Sequence, residues 1–201
     1  MIDLKSLVVA FCLMLGAAFA AQTPLLAQKS AEKISLSAHA KHGIVLMKVD
    51  RDVARLDVWL QKADSSGFGS RVYTVTGDET GTGEYYIART LGPARYRIVS
   101  LWQQKAFGIE VEASTVEFDV RPGRVTYLGK LNSGELLALM RAEALAAGKT
   151  RGGGGSGFLS ESGAGKVVLT GRDEITVAEA REFASRVMRA APGQFDLAEL
   201  Y

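Results

Sequence analysis

Residues 83–131 read GEYYIARTLGPARYRIVSLWQQKAFGIEVEASTVEFDVRPGRVTYLGKL. Apolar and polar residues alternate here in short runs, as they do in strands that bury one face. Gly92-Pro93 and Pro122-Gly123 interrupt the runs, and such pairs are typical of turns. Because the short turn Gly92-Pro93-Ala94 separates the runs 84–91 and 95–102, these two strands are predicted to form an antiparallel hairpin.

Parity within each run predicts which side chains face the core. In the second strand of the hairpin, Tyr96, Ile98 and Trp102 share one parity and are predicted to be core residues. Upstream, residues 44–49 are almost continuously apolar, which predicts a strand buried on both faces. The chain is therefore predicted to be mainly β. Residues 43–131 are predicted to form an antiparallel β-sandwich of about seven strands, and additional helices are predicted to follow it at the C-terminus.

The turn and core residues of this region resemble those of an exported bacterial family of unknown function. The matching residues are Leu91-Gly92-Pro93-x-x-Tyr96-x-Ile98 and Phe118-x-Val120-x-Pro122-Gly123-x-Val125-x-Tyr127-Leu128-Gly129. The resemblance covers roughly residues 43–131 and implies a transthyretin-like, carboxypeptidase-regulatory-like β-sandwich. Its first corner reads Gly-Pro-Ala where the family has Pro-Gly. The resemblance implies no catalytic residue.

The C-terminal third changes from strand to helix patterns. Residues 132–148 are rich in Ala, Leu and Glu and predict a helix that ends at Gly148. Residues 149–165 are predicted to be a glycine-rich linker. Residues 166–201 are predicted to be a strand and helix extension, with Thr176 and Glu179 as a capping box. The apolar stripe of this helix needs a docking surface, either the sandwich or a partner protein.

The N-terminal residues have the layout of a secretory signal. Lys5 precedes an apolar core at residues 7–15, and Ala18-Phe19-Ala20 is a small-x-small cleavage site. Residues 1–20 are therefore predicted to be a signal peptide and 21–42 a linker, which implies a periplasmic or secreted bacterial protein. An uncleaved signal that anchors the chain in a membrane is the alternative. The single cysteine, Cys12, lies inside this segment.

Charge and composition limit the possible partners. The chain has 201 residues, with 24 basic and 22 acidic side chains and a net charge of +2. No basic cluster marks a nucleic-acid site, so no nucleic-acid partner is predicted. His39 and His42 have a spacing that suits half of a zinc site on a helix, but nothing completes it. No metal and no cofactor are predicted.

The sequence carries no recognisable catalytic set. Both histidines precede the first strand, so a hydrolytic triad is not expected. The carboxylates of Glu110, Glu112, Glu117 and Asp119 occupy outward strand positions, which charged solvent faces explain. A pair of catalytic carboxylates of the glycosidase kind remains an alternative, because the distance between the two groups is set by the fold and not by their positions in the sequence. A deep pocket lined by two or more acidic residues and an aromatic would favour that alternative.

Outward-facing aromatic residues supply the predicted ligand-binding surface. Trp59 shares parity with Arg55 and Asp57, and Tyr86 shares the outward parity of Glu84 in its own strand. Trp59 is either a platform for a sugar or peptide or a landing site covered by the C-terminal helix. The expected function is a non-catalytic exported binding or interaction module of the bacterial cell envelope. Its expected partner is an envelope protein or a glycan, and the alternative function is a carboxylate-dependent hydrolase.

Overall fold

The computed structural model describes residues 34–37, 39–50, 56–65, 70–74, 84–103, 107–111, 116–132, 158–165 and 167–201, with single positions between 134 and 148. Within these residues the fold is mainly β. The strands are β1 (Gly43–Asp50), β2 (Leu56–Lys62), β3 (Ser70–Thr74), β4 (Glu84–Leu91), β5 (Ala94–Gln103), β6 (Phe107–Val111), β7 (Glu117–Val120), β8 (Val125–Leu131), β9 (Phe158–Gly165), β10 (Leu169–Thr170) and β11 (Phe195–Leu197). Helix α1 spans Glu174–Met188, and a 3-10 turn spans Pro192–Gln194.

The strands form two sheets that β3 joins. In sheet 1 the order is β10-β8-β1-β4-β3, and β11 also pairs with β8. In sheet 2 the order is β2-β5-β6-β9, and β7 also pairs with β5. Strand β3 pairs with β4 on one side and with β2 on the other. The pairs β1–β8, β8–β11 and β6–β9 are parallel, so the described strands are not purely antiparallel.

The hairpin predicted from Gly92-Pro93 is wrong. Strand β4 pairs with β1 and β3, whereas β5 pairs with β2, β6 and β7, so the corner carries the chain from sheet 1 to sheet 2. A two-residue hairpin needs positive φ at its first central residue, and neither Gly92 nor Pro93 has one. The Tyr96 hydroxyl donates a hydrogen bond to the Gly92 carbonyl at 3.1 Å and so holds the corner.

A β-bulge in β5 reverses the predicted positions of two side chains. Trp59 lies opposite Ser100, but Leu60 lies opposite Ile98, so Val99 is an extra residue in β5. Beyond the bulge Leu101 is fully buried and Trp102 is only partly buried. The prediction that Trp102 is a core residue is therefore wrong, because one inserted residue moves every following side chain to the other face.

Two hydrophobic clusters lie on opposite faces of sheet 1. The first combines residues of both sheets, including Val45, Met47, Val58, Ile98 and Leu128. The second combines the outer face of sheet 1 with helix α1 and contains Ile44, Leu46, Ala88, Val125, Tyr127, Ala180, Phe183, Ala184 and Met188. Strand β1 contributes to both clusters, which confirms that the apolar run 44–49 is buried on both faces.

Helix α1 carries the apolar stripe expected from its sequence, but it starts earlier than expected. Asp173 caps it, because its carboxylate accepts hydrogen bonds from the backbone N–H of Thr176 at 3.1 Å and from its hydroxyl at 2.8 Å. Thr176 is thus inside the helix rather than at its cap. The helix ends at Arg189, a residue with the left-handed φ of 58°.

Strand β9 lies within residues 149–165, which were predicted to be a linker. Residues 158–165 pair in parallel with β6, and Phe158 lies opposite Phe107. The glycine-rich composition concealed a strand whose partner is about fifty residues away in sequence. Residues 151–157 lie outside the described residues.

The described positions between 132 and 148 agree with the predicted helix. Gly134, Ala138, Ala142, Leu145 and Ala146 are helical, and all five are exposed. Residues 1–33, which include the predicted signal peptide and most of the predicted linker, lie outside the described residues. Within the described part of the chain, no helix is long and apolar enough to cross a membrane.

The C-terminal residues connect the two sheets. Strand β11 adds to β8 of sheet 1, and the N–H of Tyr201 donates to the carbonyl of Glu117 in sheet 2 at 3.0 Å. Arg124 forms an ion pair and two hydrogen bonds with the carboxylate of Asp196. The guanidinium of Arg172 donates to the carbonyls of Leu128 and Ala198. The bonds of Arg124 and Arg172 thus join the C-terminal residues to sheet 1, and the bond of Tyr201 joins them to sheet 2.

Candidate ligand-binding face

The outer face of sheet 2 brings together both tryptophans of the chain. Val58 and Leu101 are opposite each other and fully buried in the core between the sheets. The alternate residues Trp59, Ser100 and Trp102 therefore lie on the other side of the sheet. We call this surface the indole face and define it by Trp59, Gln61, Arg97, Ser100 and Trp102.

The bulge at Val99 is what creates the pair of indoles. Trp59 lies opposite Ser100, and Trp102 lies opposite Asp57, so the two tryptophans are diagonal neighbours on adjacent strands. Diagonal neighbours in an antiparallel pair are about 7–8 Å apart, within reach of large aromatic side chains. Without the inserted residue, Trp102 would point into the core and the face would carry one indole.

Gly108 gives the Trp102 ring its position. The two residues are a cross-strand pair, and a Cβ atom at position 108 would lie 2.5 Å from two atoms of the indole. The ring therefore lies directly on the backbone of β6, and only glycine leaves room for it. The indole is thus packed on the sheet, and Trp102 as a whole is partly buried.

Polar groups border the indoles. The guanidinium of Arg97 donates from Nη2 to Oε1 of Gln61 at 2.9 Å, and these two residues are a cross-strand pair next to Trp59. The Nε atom of Arg97 is buried and has no hydrogen-bond partner. The guanidinium of Arg97 is thus held beside Trp59 by its bond to Gln61.

The charges beside the indole face are balanced. Arg95 and Asp119 form an ion pair at 3.1 Å, and the half-buried Glu117 lies opposite Arg97. Glu110 is exposed and lies opposite Ser100. Acidic and basic side chains thus alternate along this side of the sheet.

Neither strand that carries the tryptophans has a free edge next to them. Strand β2 pairs with β3 and β5, and β5 pairs with β2, β6 and β7. Their backbone N–H and C=O groups are therefore used within the sheet around Trp59 and Trp102. A ligand on this face can be recognised only through side chains.

The structure brings together only part of the predicted ligand-binding surface. Trp59 is on the indole face and partly buried, and Asp57 lies in the same strand opposite Trp102. Arg55 lies outside the described residues. Tyr86 is in sheet 1, so it does not share a site with Trp59.

Helix α1 packs on Tyr86 and not on Trp59, which was one of its expected docking sites. The Tyr86 and Phe183 rings stack with their centroids 4.1 Å apart and an angle of 20° between their planes. Lys48 lies 6.0 Å above the Tyr86 ring and forms an ion pair with Glu179 of the helix at 3.1 Å. The landing surface of α1 is thus the outer face of sheet 1, since the apolar side chains there are continuous across β1, β4 and β8.

A second candidate is an open cleft of about 240 Å³ at the C-terminal end of the chain. It is lined by Asp119, Arg121, Thr126, Phe195, Asp196, Leu197, Ala198, Glu199 and Tyr201. The cleft combines acidic and aromatic residues, the combination that was expected to favour a hydrolase. Tyr201, one of its lining residues, is 52% exposed.

The carboxylates of this cleft are already engaged. Asp119 accepts hydrogen bonds from Arg95 and Tyr201, and its bond with Arg95 holds the pKa of that carboxyl below its usual value. Asp196 is bound to Arg124. The Tyr201 hydroxyl contacts both Asp119 and Glu199, and desolvation followed by the charge of Asp119 raises the pKa of the phenol. Asp119 is therefore ill suited to act as a general acid, which needs a raised pKa.

The lowered pKa of Asp119 predicts a specific dependence of stability on pH. A carboxylate whose pKa is lower in the folded state contributes stability above its unfolded pKa of about 4, and that contribution is lost as pH falls through the lowered value. We expect the Asp119→Asn variant to show a smaller fall in melting temperature between neutral and acidic pH. Because Arg95 is the cause of the shift, Arg95→Gln should behave in the same way. Equal acid dependence in all three proteins would contradict the role of this pair.

No metal site is found within the described residues. No three His, Cys, Asp or Glu side chains among them come close enough together to hold an ion. His39 and His42 lie just before β1, where His39 is exposed and His42 is partly buried.

Sequence reasoning missed Trp102, Gly108 and Arg97 as site residues. A signal for them was present in part, because Gly108 interrupts a strand pattern and such a glycine often marks the close approach of another group. The bulge that turns Trp102 outward left no such signal.

Comparison with protein-family models, with curated proteins and with solved structures gives no match for this chain. The candidate function therefore depends on the geometry of the described residues.

Proposed function

We propose that this chain is a non-catalytic, exported binding module of the bacterial cell envelope, and that it binds its ligand on the indole face. The observation that carries the proposal is the pair of outward tryptophans, one of which is held flat on Gly108. Trp59 and Trp102 are partly buried neighbours on a polar sheet face, and tryptophan is enriched at binding interfaces because it combines a large apolar ring with a hydrogen-bond donor. Arg97 and Gln61 supply hydrogen-bonding groups beside them.

We further propose that the two sheets form a β-sandwich of the transthyretin-like kind. Support comes from the cluster that contains side chains of both sheets and from the corner at Gly92, where the chain passes between them. Export to the periplasm or the exterior is supported by the signal-like composition of residues 1–20. In such a protein the indole face would be available to envelope components.

Binding to envelope material tests the proposal. We expect the labelled full chain to bind a defined set on an array of bacterial glycans and envelope peptides. The double variant Trp59→Ala/Trp102→Ala should lose at least about tenfold in affinity, because aromatic side chains carry much of the energy of such contacts. The melting temperature of the double variant shows whether a loss of affinity is due to unfolding.

Ile175→Ala is the matched control. It also removes an exposed apolar side chain, 74% accessible, but from helix α1 on sheet 1. Its binding should equal that of the parent chain. Unchanged binding by a folded double variant would overturn the proposed site, and absence of binding to every arrayed compound would overturn the proposed function.

The alternative is a carboxylate-dependent hydrolase that acts at the C-terminal cleft. The specific observation in its favour is that Asp119, Asp196 and Glu199 line one cleft with Tyr201. The ion pairs of Asp119 and Asp196 favour a structural role for both. A broad hydrolase screen separates the two functions. Turnover that is lost in Glu199→Gln, with folding intact, would replace the binding proposal with the enzymatic one.

A further inference from the structure

We infer that the ligand of the indole face is a neutral glycan, and this inference depends on the proposed function of that face. The first argument is the accessible ring surface. The Trp102 ring is packed on the backbone of Gly108 and the residue is only partly buried, so part of a flat indole remains accessible on this face. The C–H face of a pyranose ring is a flat apolar surface of similar size, and its hydroxyl groups at the rim stay hydrogen-bonded.

The second argument excludes an extended peptide that adds as a strand. Peptides that bind sheets usually pair with a free edge, and β2 and β5 have no free edge beside the tryptophans. A peptide would then have only side-chain contacts on the face of the sheet. A chain of sugar rings needs no backbone pairing and can lie across two neighbouring strands.

The third argument is charge. Nucleobases also stack on indoles, but nucleic-acid sites combine stacking with a basic groove for phosphates. Here Arg95 is neutralised by Asp119, and Glu110 and Glu117 lie on the same side of the sheet. The register also places Arg71 opposite Trp59 and Arg97 opposite Gln61, so acidic and basic residues are similar in number on this side and form no basic groove for a phosphate backbone or an acidic polysaccharide. The charge balance therefore complements a neutral ligand.

The fourth argument is the pattern of hydrogen-bonding groups. The partly buried Arg97 carries a guanidinium, which only donates hydrogen bonds, whereas the exposed Glu110 carries an acceptor. Ser100, between the two tryptophans in register, can do both. Sugar hydroxyls both donate and accept, so they match this mixed set.

Intrinsic fluorescence tests the inference directly, because the chain has only two tryptophans and both are on this face. The full chain is titrated with cellotetraose, maltotetraose and chitotetraose as neutral ligands. Tetragalacturonic acid, oligothymidylate and a proline-rich peptide are the other arms. We expect saturable changes in tryptophan emission with at least one neutral tetrasaccharide and weaker or no changes with the others.

Gly108→Ala sharpens the test while keeping both indoles. The added Cβ would lie 2.5 Å from the Trp102 ring and must displace it, so affinity for the neutral saccharide should fall by at least about tenfold. Gly92→Ala is the control, because nothing lies within 4 Å of its added Cβ. Trp102→Phe should retain part of the affinity, since it keeps a flat ring; melting temperatures show which variants fold.

The outcomes separate the glycan inference from the proposed function. One outcome is that no neutral saccharide binds but the acidic saccharide, the oligonucleotide or the peptide does, and that this binding is lost in Trp102→Ala. That outcome would overturn the inference of a neutral glycan and leave the proposed binding face in place. Saccharide binding that is unchanged in a folded Trp102→Ala variant would overturn both. Absence of any saturable change in all six titrations would also overturn both.

Discussion

Phe183→Ala is expected to lower the free energy of unfolding by about 3–5 kcal/mol, the usual cost of removing a buried phenylalanine. Phe183 is 5% exposed and stacks on Tyr86 at 4.1 Å. Its loss leaves a cavity between helix α1 and sheet 1 that neighbouring side chains of the cluster fill only in part. Chemical denaturation of the full chain, followed by far-ultraviolet circular dichroism, measures the change.

The adjacent residue provides the control for Phe183. Glu182 is in the same turn of α1 but is exposed, so Glu182→Ala should change stability by no more than about 0.5 kcal/mol. The comparison also tests where the helix docks. A change below about 1 kcal/mol in Phe183→Ala would mean that α1 does not contribute its apolar stripe to the core.

Gly129→Ala is expected to destabilise the fold by about 2–4 kcal/mol, through backbone strain and overpacking. Gly129 has a φ of 118°, which an alanine adopts only with strain. Its added Cβ would also lie 2.5 Å from the carbonyl oxygen of Thr170 in β10. Backbone oxygen cannot move aside as a flexible side chain can, so β8 and β10 would separate.

Gly92→Ala is the matched control for this substitution. It removes a glycine from a turn, but its φ is not positive and its added Cβ meets no atom within 4 Å. We expect its stability to change by less than about 1 kcal/mol, and in the stabilising direction if the unfolded chain loses entropy. Equal changes in the free energy of unfolding for Gly92→Ala and Gly129→Ala would show that the close approach of β10 to β8 does not contribute to stability.

The predictable parts of the fold are those in which local pattern and packing agree. The alternation of Val58 and Leu60, the two-sided burial of 44–49 and the stripe of α1 all place the expected residues in the core. Each depends on a period that a strand or helix imposes on its own sequence. The candidate site was predictable only in part, because Trp59 faces outward as its parity indicates whereas Tyr86 is covered by Phe183.

By itself, the sequence determined the alternation of most strands and the apolar stripe of α1, because these properties depend on neighbours within a few positions; it did not indicate strand β9 or the first residue of α1. The tertiary structure alone decided how the strands pair. It turned the Gly92-Pro93 corner into a connection between sheets, gave residues 158–165 a partner in β6, and placed α1 over Tyr86. It also inserted Val99 as a bulge and thereby turned Trp102 outward onto Gly108. Pairing and register are set by contacts between segments distant in the chain, and these carry no local period for a sequence to display.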